Sequence, residues 1–184
     1  MAIARRLRCH RRDRLGHGQS PGGAAGRREH EPGRGASSAL DTAVRNSIAD
    51  GVSYSIAAGN GFLGLFAQNA CNTSPARVTE AMTVSATDSS DRKPSWANVG
   101  TCVDWFAPGV SVTSAWNTSD TATNTISSTS MATPHTTGVA ALYLQSNPGA
   151  SPSQVQEALR ANETSGVVVS SGSGSPNRLL FTSY

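Results

Sequence analysis

The 184-residue sequence predicts an α/β fold built on a parallel sheet. Three observations lead there. A helical pattern that starts near Ser38 runs straight into a strand pattern over residues 52–58, and helix followed by strand is the crossover unit of a parallel sheet. Short strand patterns recur at 81–86, 102–107 and 111–115. A second helical stretch, apolar and rich in small residues, follows a polar turn with Ser130 at the junction. No apolar run approaches the roughly 18 residues of a membrane span, which excludes a spanning helix.

Residues 1–35 stand apart. They carry nine of the fifteen Lys and Arg but three of the twelve Asp and Glu, a net +6, whereas residues 36–184 carry −3. Binding of an acidic partner through positive charge would therefore rest on that stretch alone. Runs such as Arg5-Arg6-Leu7-Arg8 and Pro32-Gly33-Arg34-Gly35 show neither a period of two nor of 3.6. The basic start is followed by no apolar core, so no signal peptide is predicted. An arginine-rich phosphate-binding arm, a disordered segment and an out-of-frame translation all fit the composition. All nine basic residues are Arg, as GC-rich codons would give, which favours the third.

From Ala36 the text reads as a folded chain. Ser38 is predicted to cap a helix to about Asp50, with Asp41 in its first turn, Leu40, Val44 and Ile48 on one face and Gly51 as the stop. Val52-Ser53-Tyr54-Ser55-Ile56-Ala57-Ala58 alternates at first and ends in small residues. It delivers Gly59-Asn60 to the carboxyl end of a strand, where open α/β sheets collect ligands. Asn before Gly is by itself an ordinary turn signal. Asn72-Thr73-Ser74, Asn117-Thr118-Ser119 and Asn162-Glu163-Thr164 match glycosylation acceptors and read as surface loops. Near the end, Ser151-Pro152-Ser153-Gln154 predicts an N-cap, Pro at the first helical position and a capping box. The helix it opens reaches about Ala161 with Val155, Ala158 and Leu159 inward.

The run Ser127-Ser128-Thr129-Ser130-Met131-Ala132-Thr133-Pro134-His135 turns a polar loop into a helix, with Pro134 expected in the first turn. A helix start there aims free N–H groups at negative charge developing beside Ser130. These residues resemble the nucleophile motif of the subtilisin-like serine proteases, and the surrounding chain resembles the proteinase K branch. Ala57-Ala58-Gly59-Asn60 and Val103-Asp104-Trp105-Phe106-Ala107-Pro108-Gly109 resemble two further motifs of that family. The chain departs from it at Ser128, where the family has Gly, and at Thr136-Thr137, where it has Val-Ala. An added side chain at 128 enters a tight turn where positive φ or close substrate approach is expected to matter.

The resemblance covers residues 36–184 and implies the C-terminal part of a three-layer subtilisin-like catalytic domain, truncated on its N-terminal side. It implies peptide-bond hydrolysis through an acyl-enzyme at Ser130, with Asn60 and the Ser130 N–H as oxyanion donors. Ala57, Ala58 and Gly59 would line the substrate pocket. Asp104 with the carbonyls of Thr79 and Ala81 would bind a structural calcium, although Asp104 alone reads equally as a hydrogen-bonded loop acid. Cys71 and Cys102 would form a disulfide, against the alternative of two buried thiols. Polypeptide substrates, secretion of the parent enzyme and a monomer are implied, with no nucleic-acid or membrane partner.

The family's catalytic Asp and His precede its oxyanion Asn, and neither motif occurs here. Asp13 and His17-Gly18 lack the family surroundings, and His135, five residues after Ser130, is expected to be a packed helix histidine. The chain as written is therefore expected to be an inactive fragment of an endopeptidase. The alternative from another class is a non-catalytic remnant that keeps a peptide-binding pocket.

Overall fold

The computed structural model describes residues 2–4 and 35–183. The readings of residues 5–34, including Asp13 and His17, lie outside the described residues. Ala2–Ala4 forms strand β1, an element the sequence reading did not assign.

Helix α1 spans Ser38–Ala49, and its cap is Ser37 rather than Ser38: the Ser37 hydroxyl accepts from Leu40 N–H at 3.4 Å. The correction is one residue, the usual uncertainty between adjacent serines when capping decides the start. Val44 is buried, Leu40 and Ile48 pack beside it, and Gly51 ends the helix. Strand β2, Ser53–Ala57, follows directly. Strands β3, Met82–Thr87, and β4, Trp105–Pro108, come next.

The next strand, β5 at Val112–Ala115, leaves the sheet and pairs antiparallel with β6, Thr123–Ile126, a strand beyond those the sequence predicts. The run Thr123-Asn124-Thr125 before Ile126 in β6 is polar and largely exposed and gives little apolar period to detect. Helix α2 covers Thr129–Ser146 and helix α3 covers Pro152–Ala161. The predicted capping box of α3 is present: Gln154 N–H donates to Ser151 Oγ and Ser151 N–H donates back to Gln154 Oε1 at 2.8 Å. Two-residue strands β7, Thr164–Ser165, and β8, Arg178–Leu179, complete the order.

The main sheet runs β1-β2-β3-β4-β8-β7, with β2, β3, β4 and β8 parallel and the two outer strands antiparallel. Register opposes Ala57 to Val84 and Val84 to Trp105. Side chains alternate across the sheet, so each strand feeds two cores. On one face Met82, Val84, Ala86, Trp105 and Ala107 meet α2 and α3 through Ala132, Val139, Ala140, Val155 and Leu159. On the other, Tyr54, Ile56 and Phe106 meet α1 through Val44. This is a three-layer α/β/α arrangement. Covering on both faces explains why all six residues of β3 are buried, polar ones included. Their hydroxyls are satisfied: Thr83 Oγ1 donates to Ala76 O at 2.9 Å and Ser85 Oγ to Asn98 O at 2.8 Å.

Candidate active site

The site forms where the carboxyl end of β2 meets the amino end of α2. Pro134 is not in the first turn of α2, as expected from sequence, because the helix already begins at Thr129 and Pro134 is its sixth residue. Its missing N–H falls opposite the Ser130 carbonyl, four residues back. Ser130 lies in the first turn, exposed.

Ser128 is the N-cap, with φ −171° and ψ 155°. This is extended backbone that any residue adopts, so the expected demand for positive φ is absent and serine fits without strain. Ser128 N–H donates to Gly109 O at 2.9 Å. Gly109 permits the approach: a Cβ there would lie 2.6 Å from Ala86 Cβ and 2.9 Å from Ser128 O.

Asn60 faces this cap. Its Oδ1 accepts from Thr129 N–H and from Thr129 Oγ1, both at 2.9 Å, which turns the amide so that Nδ2 points at Ser128. Nδ2 donates to Ser128 Oγ at 2.8 Å, and Ser130 N–H donates to the same oxygen at 3.0 Å. The two donors implied for Asn60 and Ser130 thus converge on one point, and the Ser128 hydroxyl oxygen stands there. Thr129 Oγ1 also accepts from Gly59 N–H at 3.1 Å, tying both chain segments together.

Ala57, Ala58, Gly59 and Asn60 line a cleft of 640 Å³, but Ser130 does not. Asn98 shapes this wall, a role sequence reasoning missed. Buried, it donates from Nδ2 to Ala58 O at 2.8 Å, accepts from Gln68 N–H at 2.8 Å, and its own N–H bonds Gly59 O at 3.0 Å. Gly59 has φ +101°, and a Cβ would sit 2.6 Å from Asn98 Nδ2, so only glycine fits. Ser128, Thr129 and Asn98 contact one another's partners across as many as 70 residues of sequence, beyond what local pattern can read.

His135, the one histidine among the described residues, engages Met131 O through Nδ1 at 2.9 Å, one turn back along α2. Among the described residues no imidazole or carboxylate is hydrogen-bonded to Ser130 Oγ.

The residues proposed for calcium do come together. Gln156 Nε2 lies 3.5 Å from Thr79 O, 3.4 Å from Ala81 O and 3.0 Å from Asp104 Oδ1, so the three oxygens surround one point. An all-oxygen set suits calcium in kind. The position is already served by donors, however, because Arg160 Nη2 reaches Asp104 Oδ1 at 2.8 Å and Thr83 N–H reaches Oδ2 at 2.7 Å. Burial pushes the Asp104 carboxyl above its ordinary pKa, against the pull of Thr83, Arg160 and Gln156. Among the described residues no three His, Cys, Asp or Glu side chains cluster as a metal site. Cys71 and Cys102 are joined in a disulfide with Cα atoms 5.4 Å apart, as the resemblance implied.

The profile of the subtilase family matches residues 16–179. The chain belongs to the subtilase family. That match begins inside the stretch which composition set apart. The chain is 59% identical over 152 residues to the "Extracellular serine proteinase" of Thermus sp. (strain Rt41A), covering 83% of this chain and 36% of that protein. It is 51% identical over 150 residues to the "Alkaline serine exoprotease A" of Vibrio alginolyticus, covering 82% and 27%. The crystal structure of a cold adapted subtilisin-like serine proteinase superposes with a TM-score of 0.74 at 49% identity, over 80% of this chain and 51% of that one. This subtilase therefore spans about a third of the length of such relatives and half of the solved domain.

Proposed function

We propose that residues 36–184 supply the nucleophile and oxyanion half of a serine endopeptidase site acting on polypeptides. In the reaction Ser130 Oγ attacks the scissile carbonyl carbon, and the carbonyl oxygen takes the negative charge between Asn60 Nδ2 and Ser130 N–H. The C–N bond breaks as the serine proton passes through a base to the leaving amine. Water then cleaves the ester by the reverse sequence. Ala57, Ala58 and Gly59 contact the substrate from the cleft wall. The observation that carries this reading is the convergence of Asn60 Nδ2 and Ser130 N–H on one oxygen, at 2.8 and 3.0 Å.

In this reading the 184-residue chain does not turn over by itself, supported by the absence, among the described residues, of an imidazole or carboxylate hydrogen-bonded to Ser130 Oγ. The test is a graft of residues 36–184 behind the corresponding upstream part of the Thermus relative. A fluorophosphonate, which labels only an activated serine, marks the graft at Ser130 and leaves both the 184-residue chain and the grafted Ser130→Ala variant unmarked. A graft that folds and stays unmarked favours the non-catalytic remnant instead.

The parent enzyme is secreted in this reading, supported by the name of the Thermus relative and by the disulfide. Thr79 O, Ala81 O and Asp104 hold calcium in place of the Gln156 and Arg160 donors, a structural charge with no part in the chemistry. Their convergence on Gln156 Nε2 supports this reading.

A further inference from the structure

We infer that Ser128 occludes the oxyanion site of its own chain: its hydroxyl oxygen occupies the point that a substrate carbonyl oxygen must reach, making the resting site self-inhibited. The inference rests on the roles proposed for Asn60 and Ser130, and adds an internal competitor to them.

The geometry is specific. A carbonyl oxygen bound by Asn60 Nδ2 and Ser130 N–H needs donors at about 2.7–3.1 Å. Ser128 Oγ already has them at 2.8 and 3.0 Å. Two oxygens cannot share that point. Nor can Asn60 turn its amide elsewhere, because Oδ1 is held by the N–H and the hydroxyl of Thr129. The backbone at Ser128 is fixed too, by its bond to Gly109 O and by the close approach that Gly109 allows. What remains free is rotation of the Ser128 side chain about its Cα–Cβ bond. Substrate entry therefore requires the hydroxyl to swing out, giving up both hydrogen bonds at the moment the substrate makes them.

Two features separate this contact from an ordinary cap. A capping serine bonds a backbone N–H of its helix, but here it also takes a side-chain amide from another element. That amide belongs to Asn60, on the loop after β2, 68 residues away. The extended backbone at Ser128 would also accept glycine or alanine, so the hydroxyl is dispensable for chain geometry.

The consequence is reduced affinity for anything that places an oxyanion in the site. Removing the hydroxyl by Ser128→Ala or Ser128→Gly relieves the competition, whereas Ser128→Thr retains it. About one net hydrogen bond is at stake, a factor of roughly tenfold in binding.

The experiment has two arms, the first on the full 184-residue chain. In the first, ¹⁵N NMR follows the Asn60 side-chain amide and the Ser130 backbone amide in wild type, Ser128→Ala, Ser128→Gly and Ser128→Thr. Occlusion predicts that both signals shift and exchange faster with water in the Ala and Gly variants, while Thr resembles wild type. Unchanged signals in both would overturn the inference, as would loss of the native spectrum in both, which would assign Ser128 to the fold alone. In the second arm, a peptide boronic acid is titrated into the graft behind the Thermus upstream part, which supplies the base, carrying each of the same residues at 128, and into its Ser130→Ala variant. The expected result is adduct formation about tenfold tighter in Ser128→Ala than in wild type, and none in Ser130→Ala. Equal affinity in wild type and Ser128→Ala overturns occlusion while leaving the nucleophile in place. Adduct that survives Ser130→Ala, or absence of adduct in every protein, overturns the nucleophile reading, and the NMR arm then decides occlusion independently.

Discussion

Gln156 Nε2 donates to Asp104 Oδ1 at 3.0 Å while lying within 3.5 Å of the Thr79 and Ala81 carbonyls. A neutral amide thus sits at the focus of three oxygens that the calcium proposal assigns to the cation. Calcium and Gln156 compete, and Gln156→Ala is expected to bind calcium more tightly than wild type. Titration of the melting temperature with calcium, using magnesium as control, measures this. The expected wild-type dissociation constant is in the range of about 10⁻⁴–10⁻³ M found for weak extracellular sites. A melting temperature indifferent to calcium in both proteins would remove the metal from the account.

Trp105 is fully buried, and its indole N–H donates to Thr136 Oγ1 at 2.9 Å. Thr136 is one of the departures from the family motif, and here it satisfies a core donor. Thr136→Val keeps the shape and deletes the acceptor, so the buried N–H is left unpaired. The expected loss is about 1–3 kcal/mol by urea unfolding, with unchanged slope. Neutral stability would show that the indole finds another partner.

The Cys71–Cys102 bridge closes a loop with a sequence separation of 31. Replacing both cysteines by alanine is expected to cost about 2–5 kcal/mol, read as a lower unfolding midpoint under oxidising conditions. Mass spectrometry of unreduced digests should find the linked peptide; two free thiols in oxidised material would contradict the pairing.

Asp41 is buried in α1 and paired with Arg77. Burial alone would raise its pKa, but the Ser74 hydroxyl and the Arg77 guanidinium outweigh it and hold the carboxyl below the usual carboxylate value. A depressed acid contributes stability that is fully present above the unfolded pKa and is lost as pH falls through the folded one. Asp41→Asn is therefore expected to flatten the acid limb of the stability curve below about pH 4. Equal acid limbs in the two proteins would contradict this.

Much of this architecture was legible. The α1–β2 crossover follows from helical spacing of Leu40, Val44 and Ile48 with Gly51 behind them, and α3 from its capping box, because these signals are local. Of the β5–β6 hairpin only β5 was legible, since Thr123-Asn124-Thr125 in β6 pairs without burying an apolar face. At the site, Asn60 and Ser130 could be named from motifs, but the place taken by Ser128 could not. A serine before a helix reads as a cap, and only the fold brings Asn60 to it. Asn98 was invisible for the same reason: its partners Ala58, Gly59 and Gln68 lie 30 or more residues away.

The central proposal is that Ser130 and Asn60 form a competent half-site, with no base hydrogen-bonded to Ser130 Oγ among the described residues. Hydrolysis of a chromogenic peptide tests it most directly, compared among the 184-residue chain, the graft behind the Thermus upstream part, and Ser130→Ala versions of both. The account predicts no turnover by the 184-residue chain above its Ser130→Ala variant, and turnover by the graft that Ser130→Ala abolishes. Turnover by the 184-residue chain that Ser130→Ala removes, or a folded graft as inert as its Ser130→Ala variant, would contradict it.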